Sequence, residues 1–365
     1  MEDSFMTVAF DGRKAAADTG AEGMLCRGTI VSFARRYPGC IVDVYITSGK
    51  PSPLLEEVSG LPNVNICRVG SFRSGIRPLS SGRALAAELL RRKTDVFHGL
   101  DGVLPESLDD LHGIMKVVTV NDLSFVSDPD SCGWIRRHIS NLHSRHACLA
   151  ADRIITPLAA SAADVVKYYF VPKLRVSCAC PYGAVNVPGG FSGDFLETLR
   201  TEYGLPEKFV IADCGAGTGA WLAGAAVSLG AEILQIGCRR RRIPGVRRIS
   251  PAGITEAAAI IGLSQAYLCL AAEPGLQSRM HILCAMHSGV PVLAGPDPSL
   301  KELAGDAAVY ADPCDCAGTG NALHSVLSDA HLRAAMSRKG RERVSSFTPD
   351  SLAEHLMSVY MDTLA

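Results

Sequence analysis

The chain has 365 residues, 47% hydrophobic and 20% charged, a balance that excludes a disordered or fibrous protein and suits two separate hydrophobic cores. A formal charge of −1 excludes a global field that would recruit nucleic acid or acidic lipid, so any anion binding must be local. Thirteen cysteines form no CxxC pair and no disulfide framework, Cys178/Cys180 and Cys314/Cys316 being the closest pairs; no metal site is expected, and they read as reduced, buried thiols of a reducing compartment.

The first residues, Met1-Glu-Asp-Ser-Phe5, show no basic stretch followed by an apolar one, which argues against secretion. No apolar run approaches the roughly 20 residues of a membrane span. The expected location is cytoplasmic, with peripheral attachment at the inner face of the membrane or to a partner protein left open.

Short apolar runs then alternate with helical stretches, as in βαβ units. Met6–Phe10 reads as a strand, Asp11 to Gly23 as a Gly-containing loop, and Ile30, Phe33 and Ala34 show helical spacing. Strands follow at Ile41–Ile46 and Val64–Val69, then an amphipathic helix over Gly82–Arg92. Asp95–His98 and Lys116–Val120 are strands that end where polar residues begin. A long helix rich in Arg and His runs from Trp134 to Ala151, followed by strand Arg153–Thr156, helix Ser161–Tyr169 and strand Arg175–Cys178.

Pro181 to Gly193 reads as a linker. A second series follows, with strands at Phe209–Ala212, Glu232–Ile236, Tyr267–Leu270, Pro291–Leu293 and Ala308–Tyr310. Its helices are Gly215–Ser228, Thr255–Leu263, Gln277–His287 and His331–Ser345, and Pro349–Thr363 is a last amphipathic helix. The pattern predicts an α/β protein with two doubly wound, Rossmann-like domains, 1–186 and 187–348, and a terminal helix, 349–365, returning to the first.

Several stretches resemble the family 4-like glycosyltransferases, in order along nearly the whole chain. They are Asp95-Val-Phe-His98 with Val117-Val-Thr-Val-Asn-Asp-Leu-Ser-Phe125, and Ala151-Asp-Arg-Ile-Ile-Thr156 with Asp164-Val-Val-Lys-Tyr-Tyr-Phe-Val-Pro172. Near the end stand Ala285-Met286, Ser288-Gly-Val-Pro-Val292, Ser299-Leu-Lys-Glu-Leu-Ala-Gly-Asp-Ala-Ala308 and Asp312-Pro313. The resemblance implies a GT-B fold, two Rossmann-like domains facing across a cleft. It also implies a retaining, metal-independent transfer of sugar from a nucleotide-sugar to a cell-envelope glycan, polysaccharide or lipid-linked acceptor. The nucleotide-sugar is then a substrate, and no cofactor is needed.

Carried over residue by residue, the resemblance is incomplete. Glu302 and Glu273 are candidate donor carboxylates, and Gln277 opens the donor-side helix. The second donor Glu aligns with Cys284, which cannot accept two ribose hydroxyl bonds as a carboxylate does. The family's His aligns with Asn121, which carries no charge and exchanges no proton near neutrality. Asp122 beside it ends a strand and is a candidate to orient an acceptor hydroxyl. The acceptor-side loop would contain Gly20 and Gly23, and His98 follows a strand nearby.

The Arg and Lys expected after the second domain's first strand are absent. In their place stands Ala212-Asp-Cys-Gly-Ala-Gly-Thr-Gly-Ala220, where backbone N–H groups of Gly215, Gly217 and Gly219 could cradle a phosphate. The same string resembles the first motif of S-adenosylmethionine-dependent methyltransferases, but the next strand ends in Gly237-Cys238 without the ribose carboxylate. Arg239–Arg242 with Arg247 and Arg248 is the one basic cluster, and no aromatic residue interleaves it, against nucleic-acid binding. Two readings remain: a working glycosyltransferase, or a catalytically impaired relative serving as a binding or scaffold subunit for an active partner.

Overall fold

The computed structural model describes residues 6–47, 52–69, 80–128, 132–180, 182, 189–214, 230–236, 246–271 and 273–364. By their contacts the residues group into two compact units, one of 1–123, 135–185 and 347–365, the other of 124–134 and 186–346.

The first unit is built on seven parallel strands in the order β3-β2-β1-β4-β5-β6-β7. They are β1 Thr7–Asp11, β2 Ile41–Thr47, β3 Val64–Val69, β4 Val96–Gly99, β5 Met115–Thr119, β6 Arg153–Thr156 and β7 Val176–Cys178. β1 is buried along its whole length, which is why Thr-Val-Ala-Phe-Asp shows no polar alternation. Phe10, Phe33, Val42 and Val44 belong to its core, and Tyr360 of the Pro349–Leu364 helix joins them, its ring 5.5 Å from that of Phe33. That helix lies along the Ala21–Arg36 helix, with Arg36 paired to Glu354 at 2.8 Å.

The second unit has six parallel strands in the order β10-β9-β8-β11-β12-β13. These are β8 Phe209–Cys214, β9 Glu232–Gln235, β10 Arg247–Arg248, β11 Tyr267–Leu270, β12 Val292–Ala294 and β13 Ala308–Tyr310. Helices Ile254–Gly262 and Leu276–Ser288 pack on one another, and Ala330–Ser345 packs on Leu276–Ser288. The chain is thus α/β with two doubly wound parallel sheets, as the alternating pattern predicts.

Some elements differ from expectation for local reasons. The first loop contains the helix Arg13–Ala17, too short to show a period. The linker ends where Ser192 caps a helix over Gly193–Tyr203, which stops at Gly204 in the left-handed region. Helices Pro298–Ala304 and Cys316–Ser328 start on Asp297 and Asp315, whose carboxylates accept from backbone N–H groups of the first turn. The expected Gly215–Ser228 helix lies outside the described residues.

Candidate functional site

In a doubly wound parallel sheet the loops leaving the carboxyl ends of the strands part at the point where strand order reverses, and that crevice is where ligands bind. The reversal falls between β1 and β4 in the first unit and between β8 and β11 in the second.

In the second unit, Asp213 sits near the carboxyl end of β8, in register with Cys269 of β11. Its carboxylate accepts a hydrogen bond from Ser278 Oγ at 2.6 Å. Burial pushes its pKa up to about 6, although hydrogen bonds from Ser278 and Tyr267 pull the other way. Ser278 lies in the first turn of Leu276–Ser288, so this bond fixes the helix start against the strand end. The helix opens on Gly275 with no side-chain cap. Thirteen residues of aligned peptide dipoles therefore begin at the reversal point, leaving positive potential there for an anion.

Gln277 and Glu273 are exposed at this end of the helix. Cys284 is not available to a ligand: it is fully enclosed two turns further on, and burial pushes its thiol up to about 12. The helix is buried around this turn, and Cys284 packs in the core. Glu302 lies partly exposed in the Pro298–Ala304 helix, and its carbonyl accepts from the Arg343 guanidinium at 2.6 Å. His281, enclosed beside Tyr267, is pushed down to about 4 by burial and is neutral. Gly215, Gly217, Gly219 and the Arg239–Arg242 cluster lie outside the described residues. Arg247 is engaged by Glu232 and by the carbonyls of Tyr203 and Gly204.

In the first unit, Asp11 ends β1 and forms a two-pronged ion pair with Arg13, while Lys14 pairs with Glu22. Asp101, just beyond β4, has an enclosed Oδ1 with no hydrogen-bond partner. Burial, then the neighbouring Asp11, push its pKa up to about 7 against the pull of Arg13 and Lys14. A carboxylate in this state can accept a hydrogen bond or a proton from a hydroxyl group near neutral pH.

The glycines of the first loop serve the fold. Asp18 accepts from the backbone N–H of Gly20 at 2.8 Å and of Gly23 at 3.1 Å, filling the start of the Ala21–Arg36 helix with an internal carboxylate. A Cβ on Gly23 would lie 2.0 Å from the Asp18 carbonyl oxygen, so the close approach that requires glycine is to the chain itself. His98 serves the fold likewise. It lies within β4, fully buried, with Nδ1 bonded to Tyr360 Oη and Nε2 to Thr119 Oγ1, each at 2.7 Å. Burial holds it down to about 3, so it is a neutral tie between strands and the last helix. Asn121 donates from Nδ2 to the Leu100 carbonyl at 3.0 Å, steadying the turn that carries Asp101, and Asp122 follows it, partly exposed.

Asp11 and Asp101 were not among the residues singled out from the sequence, and Asp213 entered only as part of the Ala212–Ala220 string. All three stand where an apolar strand gives way to polar chain, the signal that did single out Asp122. Among the described residues no three His, Cys, Asp or Glu are placed to hold a metal ion.

No family model matches the chain, and no curated protein sequence matches it. Solved structures do. Sucrose-phosphate synthase from Thermosynechococcus elongatus superposes with a TM-score of 0.66 at 16% identity, over 98% of this chain and 99% of that one. HepE from Anabaena, solved with UDP and glucose, gives 0.64 at 14% identity over 98% and 100%. A UDP-N-acetylglucosamine 2-epimerase gives 0.57 at 13% over 96% and 94%. The chain therefore has the GT-B fold. Its presence in both a sucrose-phosphate synthase and an epimerase leaves the reaction to be argued from the site.

Proposed function

We propose that the protein transfers a sugar from a nucleotide-sugar, with the donor diphosphate held at the start of the Leu276–Ser288 helix. The observation that carries this reading is that helix start at the β8/β11 reversal point, without a side-chain cap and tied to Asp213 through Ser278. Leaving-group charge on a diphosphate is stabilised by aligned backbone N–H groups even where Arg and Lys are absent. The likeness to HepE, whose structures hold UDP and UDP-glucose, supports UDP as the first nucleotide to try. Gln277 and Glu273 are the proposed donor contacts, joined by Glu302 and the Gly215–Gly219 backbone.

On the acceptor side, Asp101 and Asp122 are the proposed partners of a hydroxyl. Asp11, Asp18 and Glu22 balance Arg13, Lys14 and Arg27 there, leaving no excess of positive charge for a second phosphate and favouring an uncharged hydroxyl group. The acceptor is a glycan or lipid-linked sugar, and transfer is retaining and metal-independent. No cofactor is assigned.

A thermal-shift screen of nucleotide-sugars, followed by release of nucleotide from the best binder, tests this. Stabilisation by at least one, and slow turnover with it, is the expected result; no stabilisation by any would refute donor binding. A second reading has its own support: Asn121, in the place of the family's His, is bonded through its amide to Leu100. Tight binding without turnover would make the chain a scaffold subunit for an active partner.

A further inference from the structure

The helix Trp134–Ala150 carries its apolar residues on the wrong side for a core helix. Ser144, Ala147 and Cys148 are its buried residues, whereas Ile135, Ile139, Leu142 and Leu149 are between 48% and 56% exposed. Their spacing of four, three and seven places them on one stripe. Arg145 and His138 flank the stripe on one side and Arg136 on the other, all three exposed. No Asp or Glu occurs between 134 and 150. His146, within the stripe, is paired with Asp109 at 2.9 Å.

The surface continues past the helix. Arg175 bonds the carbonyls of Cys148 and Leu149, bringing the neighbouring Leu174 to this helix end, and Leu174 is 93% exposed. Phe170 is 89% exposed and sits in the left-handed region at φ 56°, a conformation that costs a bulky residue energy. Lys167 and Lys173 are exposed beside it. Trp134, 76% exposed, begins the helix.

We infer that this face docks the protein on an anionic lipid bilayer, the helix lying in the interface with Ile135, Ile139, Leu142 and Leu149 among the acyl chains. An apolar stripe flanked by arginines, on a helix without Asp or Glu, has the composition of a helix that lies on a membrane. The cations meet anionic headgroups while the aliphatic residues leave water, and Leu174 adds an apolar wedge at the far end. A second copy of the chain fits less well, because an isologous pair would bring the arginines of one helix toward those of the other with no carboxylate on either helix to face them. No described helix is long and apolar enough to cross the bilayer, so attachment is peripheral.

Flotation of the full chain with vesicles of phosphatidylcholine, alone or containing one-third phosphatidylglycerol, tests the inference. The protein should rise with the anionic vesicles, bind neutral ones at least about tenfold less, and be released by high salt. Ile139→Asp with Leu142→Asp should leave it at the bottom of the gradient, and Arg136→Glu with Arg145→Glu should do the same. These side chains are exposed, so circular dichroism should be unchanged. The inference is overturned if the unmodified chain ignores anionic vesicles, if either variant floats equally, or if sedimentation shows a dimer that Ile139→Asp dissolves. Flotation needs neither donor nor acceptor, so its outcome is separate from that of sugar transfer.

Discussion

His98 shows how one side chain can serve stability where sequence offers it to function. Tyr360→Phe removes the partner of Nδ1 and leaves a buried ring nitrogen unpaired, a loss of about 1–3 kcal/mol by chemical denaturation. His98 also contributes acid sensitivity: its folded pKa, about 3, lies below the unfolded value, so stability falls as pH drops through about 6.5 toward 3. Asp101 acts in the opposite sense. Its folded pKa of about 7 lies above the unfolded carboxyl value, so the folded state binds the extra proton and stability falls as pH rises from about 4 to about 7. Asp101→Asn should therefore flatten that part of the stability profile and be the more stable protein at pH 8. A variant with the unmodified protein's slope would show that Asp101 titrates normally. Cys284→Glu, which the family pattern would favour, should instead cost on the order of 4 kcal/mol, because it places an unpaired charge in the core. At this scale the sequence showed which positions depart from the family but not which way they face. Gln277 and Cys284 are seven apart on one helix, yet only the first reaches the surface.

The Leu276–Ser288 helix concentrates the proposed chemistry, and Asp213 beneath its first turn should make that chemistry depend on pH. A diphosphate brought to the helix start raises the pKa of Asp213 further above about 6, so binding takes up a proton. UDP-glucose, whose diphosphate does not titrate in this range, should bind more tightly as pH falls toward about 6, by at most about tenfold per unit. Asp213→Asn should abolish the slope; an unchanged slope would place the anion elsewhere. The Ala21–Arg36 helix offers the contrast, since Asp18 already occupies its start. Gly23→Ala should cost about 1–3 kcal/mol through the clash with the Asp18 carbonyl, measured by denaturation, whether or not ligand is present. Long strands and periodic helices were legible because their burial is one-sided or complete. Arg13–Ala17, Pro298–Ala304 and the two-residue β10 are too short for any period, and the capping signals at Asp297 and Ser192 went unread.

For the molecule as a whole, the two parallel sheets follow from apolar runs such as Thr7–Asp11 and Tyr267–Leu270, buried on both faces and separated by helical stretches. Strand order could not be read that way, and with it went the reversal points that single out Asp11, Asp101 and Asp213. The GT-B fold is settled by geometry, while the proposed sugar transfer requires that the start of one helix hold a diphosphate. Gly275→Asp addresses that alone. Aspartate is a favoured cap at this extended position, so the fold should be unharmed, yet its carboxylate fills the place the phosphate would take. Calorimetric titration of UDP-glucose into the unmodified protein should give saturable binding, and Gly275→Asp, with unchanged melting temperature, should bind at least about tenfold more weakly. No binding by the unmodified protein, or equal binding by the variant, would contradict the account.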